Sequence, residues 1–125
     1  MIALKRMFQT QTVFTAFEPI YPPDFQYIGE RHNFWELVYV VEGCAGILEE
    51  DKVYELSPGD VIFHKPMEFH RLWSENNMEL HLIILSFSLV GSGFDSLGKG
   101  VFHLNDKNHT DFLSCLKKML GLNKL

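Results

Sequence analysis

The sequence has little cysteine, no excess of positive charge and no long apolar run, and each shortage removes a class of function. Cys44 and Cys115 are its two cysteines, with no Cys-x-x-Cys spacing. That excludes a zinc ribbon or a thioredoxin-like redox pair. Two isolated thiols fit a reducing compartment better than a disulfide framework. Lysine and arginine total 11 against 16 aspartates and glutamates, a net charge of -5. This segment therefore carries no basic footprint for a nucleic-acid backbone. The most apolar stretch, LHLIILSFSLV at residues 80–90, falls well short of the roughly 20 residues that cross a bilayer as a helix. Near the start, Lys5 and Arg6 lead into the polar run Gln9, Thr10, Gln11, Thr12, not the continuous apolar core of a secretion signal. These absences point to a cytoplasmic protein with no membrane partner.

What is present is a core. Hydrophobic residues make up 46% of the 125 residues and aromatics 14%, enough to fold as one domain rather than remain disordered. Most of the apolar residues come in short runs rich in β-branched and aromatic types, bounded by turn formers. The clearest is FWELVYVV at residues 34–41, apolar on both of its alternating faces apart from Glu36. Residues 47–50 and 53–56 read as a hairpin over Asp51 and Lys52. Ser57-Pro58-Gly59-Asp60 is a turn, with proline presetting φ and glycine supplying a positive one. The strand over residues 61–65 stops at Pro66, which has no N–H for a ladder. Strands over residues 70–74 and 80–88 follow, joined by the polar turn Glu75-Asn76-Asn77. This spacing predicts an antiparallel sandwich or barrel.

The pattern changes after the glycines of residues 91–100. Phe112, Leu113, Leu116, Met119 and Leu120 recur at helical spacing, so one amphipathic helix is expected. Asn105 or Thr110 is placed to cap its start, and Gly121 to end it.

Chemistry concentrates in two places, Glu30-Arg-His-Asn-Phe-Trp-Glu36 and Pro58-Gly-Asp-Val-Ile-Phe-His-Lys-Pro-Met-Glu-Phe-His70. If the chain is extended from Glu30, then Glu30, His32, Phe34 and Glu36 share one face. His70 arrives after the break at Pro66. Two imidazoles and a carboxylate converging inside a barrel would hold a divalent metal or bind a polar ligand directly. The plainer alternative is a backbone-bonded histidine, with Glu36 paired to Arg31 or Arg71. His64 reads as structural or rim-lining. Aromatics that would line such a pocket are Phe34, Phe63, Phe69 and Trp73.

The order His32-x-x-x-Glu36-x6-Gly43, then Pro58-Gly59-Asp60, an apolar strand, Pro66 and His70, resembles the two motifs of the cupin superfamily. RHNFWELVYVVEG, LSPGDVIFHKPMEFHRL and LIILSFS together resemble the sensor domains of AraC-type transcription regulators, over roughly residues 28–120. The resemblance implies a mainly β fold, a cupin-like double-stranded β-helix (jelly-roll barrel) followed by a C-terminal α-helix. It implies a barrel over residues 1–104 and the start of a helical linker and dimerisation region over residues 105–125. The two helix-turn-helix motifs of such regulators have no counterpart in this segment, so contact with DNA is expected through a further domain. The expected function is ligand sensing and dimerisation, without enzymatic activity. A small-molecule effector would bind at His32, Phe34, Glu36, His70 and Trp73, and the protein would be a homodimer. By position, His32, Glu36 and His70 fall on cupin metal-ligand positions, while Glu30 stands where a further histidine is usual. An effector pocket without a cofactor is the leading expectation, and a divalent metal on His32, Glu36 and His70 the second. The alternative function is a stand-alone metal-dependent cupin enzyme, a dioxygenase or isomerase.

Overall fold

Strand FWELVYVV is apolar on both faces because the fold covers both. The computed structural model describes residues 11–123. Its strands are β1 (Gln11–Phe17), β2 (Ile20–Tyr21), β3 (Gln26–Glu30), β4 (Trp35–Glu42), β5 (Ala45–Glu49), β6 (Lys52–Leu56), β7 (Asp60–His64), β8 (His70–Ser74), β9 (Leu80–Leu89) and β10 (Val101–His103). A 3-10 turn, Asp95–Gly98, precedes β10, and helix α1 spans Asp106–Asn123. All pairings are antiparallel. One sheet runs β1-β9-β4-β7-β10 with β2 also on β9, and the other runs β3-β8-β5-β6. The two close over each other as the expected β-barrel sandwich.

On β4, Trp35, Leu37 and Tyr39 point outward with Phe63, Leu85 and Phe87, where Phe112, Leu116 and Leu120 of α1 cover them. Val38 and Val40 point inward and meet Ala45, Ile47, Leu56 and Leu72. The period of two along a strand thus supplies two cores from one sheet. Helix α1 is further fixed by a hydrogen bond between His109 and the Tyr39 hydroxyl. Lys117 adds an ion pair of 2.8 Å to Glu18.

The turns form for the reasons their residues suggest. Gly59 sits at φ +91°. Asp60 then folds its carboxylate back to accept the Ser57 N–H at 2.9 Å. Asn76 and Asn77 take φ +58° and +53°, a conformation asparagine tolerates better than most residues. Gly43, at φ +88°, has no room for a side chain, because a Cβ would lie 2.2 Å from the Glu79 carbonyl oxygen.

Two expectations are corrected. Gly121 does not stop the helix, which runs on to Asn123 with Gly121 on its exposed side. Asn105 provides the N-cap, accepting the Asn108 N–H at 2.9 Å. Nor is the chain continuously extended from Glu30 to Glu36. Strand β3 belongs to the four-stranded sheet and β4 to the six-stranded one, so residues 31–34 cross between them.

Leu116, fully buried between α1 and the six-stranded sheet, makes the helix part of the barrel's own core. Leu116→Ala is expected to destabilise the domain by about 2–5 kcal/mol. Urea unfolding followed by tryptophan fluorescence and by circular dichroism checks this, with the two probes shifting together.

Candidate functional site

Strand register brings the polar residues together from both sheets. Glu30 pairs with His70 across β3 and β8. Glu36 faces His64 across β4 and β7 and Ser86 across β4 and β9. The loop between β7 and β8 completes the arrangement. Pro66 ends β7, and the Met67 N–H then donates to the His32 carbonyl at 2.6 Å. The same loop therefore anchors His32 and delivers His70, which is what the turn, strand, proline and histidine of residues 58–70 accomplish.

Glu30, His32, Glu36 and His70 each offer a donor atom, all within 4.8 Å of one another. Both imidazoles are oriented by the backbone. His32 Nδ1–H donates to the Phe34 carbonyl at 2.9 Å, and His70 Nδ1–H to the Glu68 carbonyl at 3.0 Å. Each Nε2 is then aimed at the carboxylates. His32 Nε2 lies 3.4 Å from Glu30 and 3.6 Å from Glu36. His70 Nε2 lies 3.4 Å from Glu30 and 3.2 Å from Glu36. Both Nε2 atoms are buried and lack a hydrogen-bond partner.

The electrostatics are mutual. Burial opposes the charge on Glu36, yet the imidazoles facing it outweigh burial and hold its carboxyl at about 2. The Glu36 carboxylate raises His32 above its ordinary value. Burial lowers His70, but Glu36, the Glu68 carbonyl and Glu30 together raise it. Each Nε2 is thus a position for which a proton and a metal ion would compete.

Glu30, Glu36 and His70 border a cavity of about 320 Å³, while His32, with Phe34 stacked on its ring, is not part of the lining. Its wall is aromatic, with Tyr21 stacked on Phe25 at 3.7 Å, joined by Tyr27 and Phe34. Thr15 and Ser86, hydrogen-bonded to each other, add hydroxyls. Burial and the nearby Glu36 charge push the Tyr21 phenol upward, so it stays a neutral donor.

Of the residues expected at the site, the structure gathers His32, Glu36 and His70, and Phe34 lines the cavity while stacking on His32 at 3.9 Å. Trp73 does not line it. It is one residue out of phase with the inward-facing His70 and Leu72. Its ring lies against Gly46, and its indole N–H donates to Glu75. Phe63 has the wrong parity too and packs in the outer core, while Phe69 lies under the Arg31 guanidinium at 5.5 Å. The suggested arginine partners of Glu36 are engaged elsewhere: Arg31 pairs with Glu50 at 3.0 Å, and Arg71 sits over Trp73. Sequence reasoning missed Thr15, Tyr21, Phe25 and Ser86. The first three lie on or beside β1 and β2, whose partner β9 is far along the chain.

A family model for the AraC-like ligand binding domain matches residues 17–121. The chain is 33% identical to YfiF, an uncharacterized HTH-type transcriptional regulator of Bacillus subtilis, over 58 residues, 46% of this chain and 18% of that protein. Among solved structures it is similar to a predicted oxalate decarboxylase of Thermotoga maritima, with 20% identity and a TM-score of 0.58 over 69% of this chain and 73% of that one. It is also similar to an RmlC-like cupin from Shewanella frigidimarina, with 17% identity and a TM-score of 0.55 over 64% and 76%. A structure of Bacillus subtilis oxalate decarboxylase, studied for its Mn(II) centers, aligns at 12% identity and a TM-score of 0.55, over 66% of this chain and 22% of that one. At these identities the structural likeness establishes the cupin fold.

The charges set a pH profile for the metal-free domain. Glu36, lowered from 4.5 to about 2, stabilises fully above pH 4.5 and progressively less as pH falls toward 2. His32 and His70, raised from 6.5, stabilise fully below pH 6.5 and lose that contribution as pH rises through their folded values. The stability that Glu36, His32 and His70 contribute in chelator should therefore be greatest between pH 4.5 and 6.5. Glu36→Gln should flatten both limbs, as read from unfolding midpoints across pH.

Proposed function

The chain belongs to the AraC-like ligand-binding domain family, and from that premise we propose that it senses a small-molecule effector for an AraC-type transcription regulator, over a divalent cation held by Glu30, His32, Glu36 and His70. The observation that carries the metal is the pair of buried Nε2 atoms that face two carboxylates without a hydrogen bond to either. Donors about 2.1 Å from a common ion stand about 3.0–3.4 Å apart in octahedral or tetrahedral geometry. The imidazole–carboxylate distances here run from 3.2 to 3.6 Å. Both Nδ1–H groups bond to backbone carbonyls, the supporting arrangement that metal-bound histidines ordinarily have.

A bound ion would supply a Lewis-acidic anchor for an effector oxygen. The chain's own residues do the rest. Tyr21, Phe25 and Phe34 enclose a flat or apolar body, and Thr15 and Ser86 offer hydroxyls to polar groups. The effector acts only if it binds one arrangement of the domain better than another. Helix α1, anchored to β4 through His109 and Tyr39, is the element through which this reading passes the signal to a dimer partner and to a DNA-binding domain beyond this segment. The similarity to a helix-turn-helix regulator supports that role. A second reading, a metal-dependent cupin enzyme, is favoured by the four-donor cluster itself.

Metal analysis after equilibrium dialysis with Mn2+ or Ni2+ tests the site. His32→Ala and His70→Ala should each bind one ion fewer than the wild type while keeping its circular dichroism. Wild-type affinity should rise from pH 6 to pH 8 as the raised imidazoles release their protons. Unchanged stoichiometry in His70→Ala contradicts the metal site. Turnover of a small organic acid by the loaded protein would move the reading to an enzyme.

A further inference from the structure

Behind His70 lies a second group of metal-ligating side chains that the effector site does not use. Glu49 on β5, His64 at the end of β7 and Glu68 in the following loop each present one donor atom, all within 4.8 Å of one another. They are interior groups. His64 is 1% exposed and Glu49 7%, and the Glu68 side chain is 13% exposed. His64 Nδ1 stands 3.1 Å from Glu49 Oε2. Glu68 accepts the Lys65 backbone N–H at 3.1 Å. The Lys65 ammonium is 3.9 Å away, at the outer limit of an ion pair. Among the described residues, no lysine or arginine pairs with Glu49, whose one ionic partner is His64.

A buried charge is ordinarily paired with an opposite charge or bound to a metal. Here two interior carboxylates flank one imidazole, and a single ammonium reaches only one of them, from a distance. A divalent cation at the centre would neutralise both carboxylates and use the imidazole lone pair. Three donors, one nitrogen and two oxygens, suit a divalent ion such as Mn2+, which favours carboxylates, or Zn2+, which takes both donor types. We infer that Glu49, His64 and Glu68 form a second divalent-cation site, separate from the four-residue cluster in the barrel.

The site has its own approach. Glu49 and Glu68 border an outer cleft of about 510 Å³ that the barrel cavity does not include. His64 borders the inner cavity instead and stacks on His70 at 4.1 Å and 5°. An ion there ties Glu49 of the four-stranded sheet to His64 of the six-stranded sheet. Through Glu68 it also fixes the loop whose carbonyl orients His70. Occupancy of the outer site therefore sets the position of a group that faces the effector. This inference does not depend on the sensor reading or on a metal at the first cluster.

The test is ion stoichiometry of the 125-residue chain, by elemental analysis after equilibrium dialysis against Mn2+ and, separately, Zn2+. Two equivalents are expected for the wild type, and one each for Glu68→Gln, Glu49→Gln and His32→Ala. None is expected for His32→Ala combined with Glu68→Gln. Glutamine keeps the volume and can still accept a hydrogen bond, and a wild-type circular dichroism spectrum with cooperative unfolding in chelator confirms the fold. Should Glu49→Gln fail to fold, Glu68→Gln on the loop decides alone. Failure of the first site only would give one wild-type equivalent, lost in Glu68→Gln and untouched by His32→Ala, and would leave this inference standing. Full wild-type stoichiometry in Glu68→Gln overturns it.

Discussion

The carboxylate of Glu36 is the constraint around which the barrel interior is arranged. It sits near the start of β4, on the face that also carries Val38 and Val40. An uncompensated charge there would cost several kcal/mol. Compensation comes from both sheets at once. His32 arrives from the crossover before β4, and His70 from the start of β8. Neither reaches Glu36 unless the two sheets hold their register and the loop after Pro66 binds the His32 carbonyl. Fold and site are therefore one problem: the turn at Pro58-Gly59-Asp60 sets the register of β7, and β7 ends in the loop that positions His70.

The same strand explains why a short domain can carry a polar interior. Polar floor residues reduce the apolar area that the barrel can bury. The outward face of the six-stranded sheet makes up the difference by packing Leu37, Tyr39, Phe63 and Phe87 under Phe112, Leu116 and Leu120 of α1. A helix that belongs to the core and also touches β4 through Tyr39 is mechanically close to the cavity. One side of β4 meets the barrel cavity and the other meets the helix, so a shift of β4 is felt on both.

Much of this was legible in the sequence, for identifiable reasons. The two-sided apolar pattern of residues 34–41 announced a strand buried on both faces. The turns at residues 57–60 and 75–77 carried their own chemistry. The convergence of His32, Glu36 and His70 followed from the family resemblance rather than from periodicity, because residues 31–34 leave one sheet for the other and break the extended face that would have aligned them. Trp73 and Phe63 were misplaced because strand parity was not tied to a known inward residue. Strands β1, β2 and β3 were not legible: QTVFTAF and QYIGE carry few buried residues, and their pairing depends on β9 and β8 much later in the chain. The aromatic wall went unread with them, since Tyr21, Phe25 and Tyr27 belong to that region. The helix was expected to end at Gly121, but a glycine on an exposed helix face interrupts no packing and is tolerated for about 1 kcal/mol.

The most direct measurement is anomalous X-ray scattering from crystals of the domain grown with Mn2+. The account predicts a peak about 2.2 Å from His32 Nε2, His70 Nε2 and an oxygen of Glu36, with the Nδ1–H bonds to the Phe34 and Glu68 carbonyls intact. Imidazoles hydrogen-bonded directly to Glu30 and Glu36, with no anomalous signal between them, would contradict it.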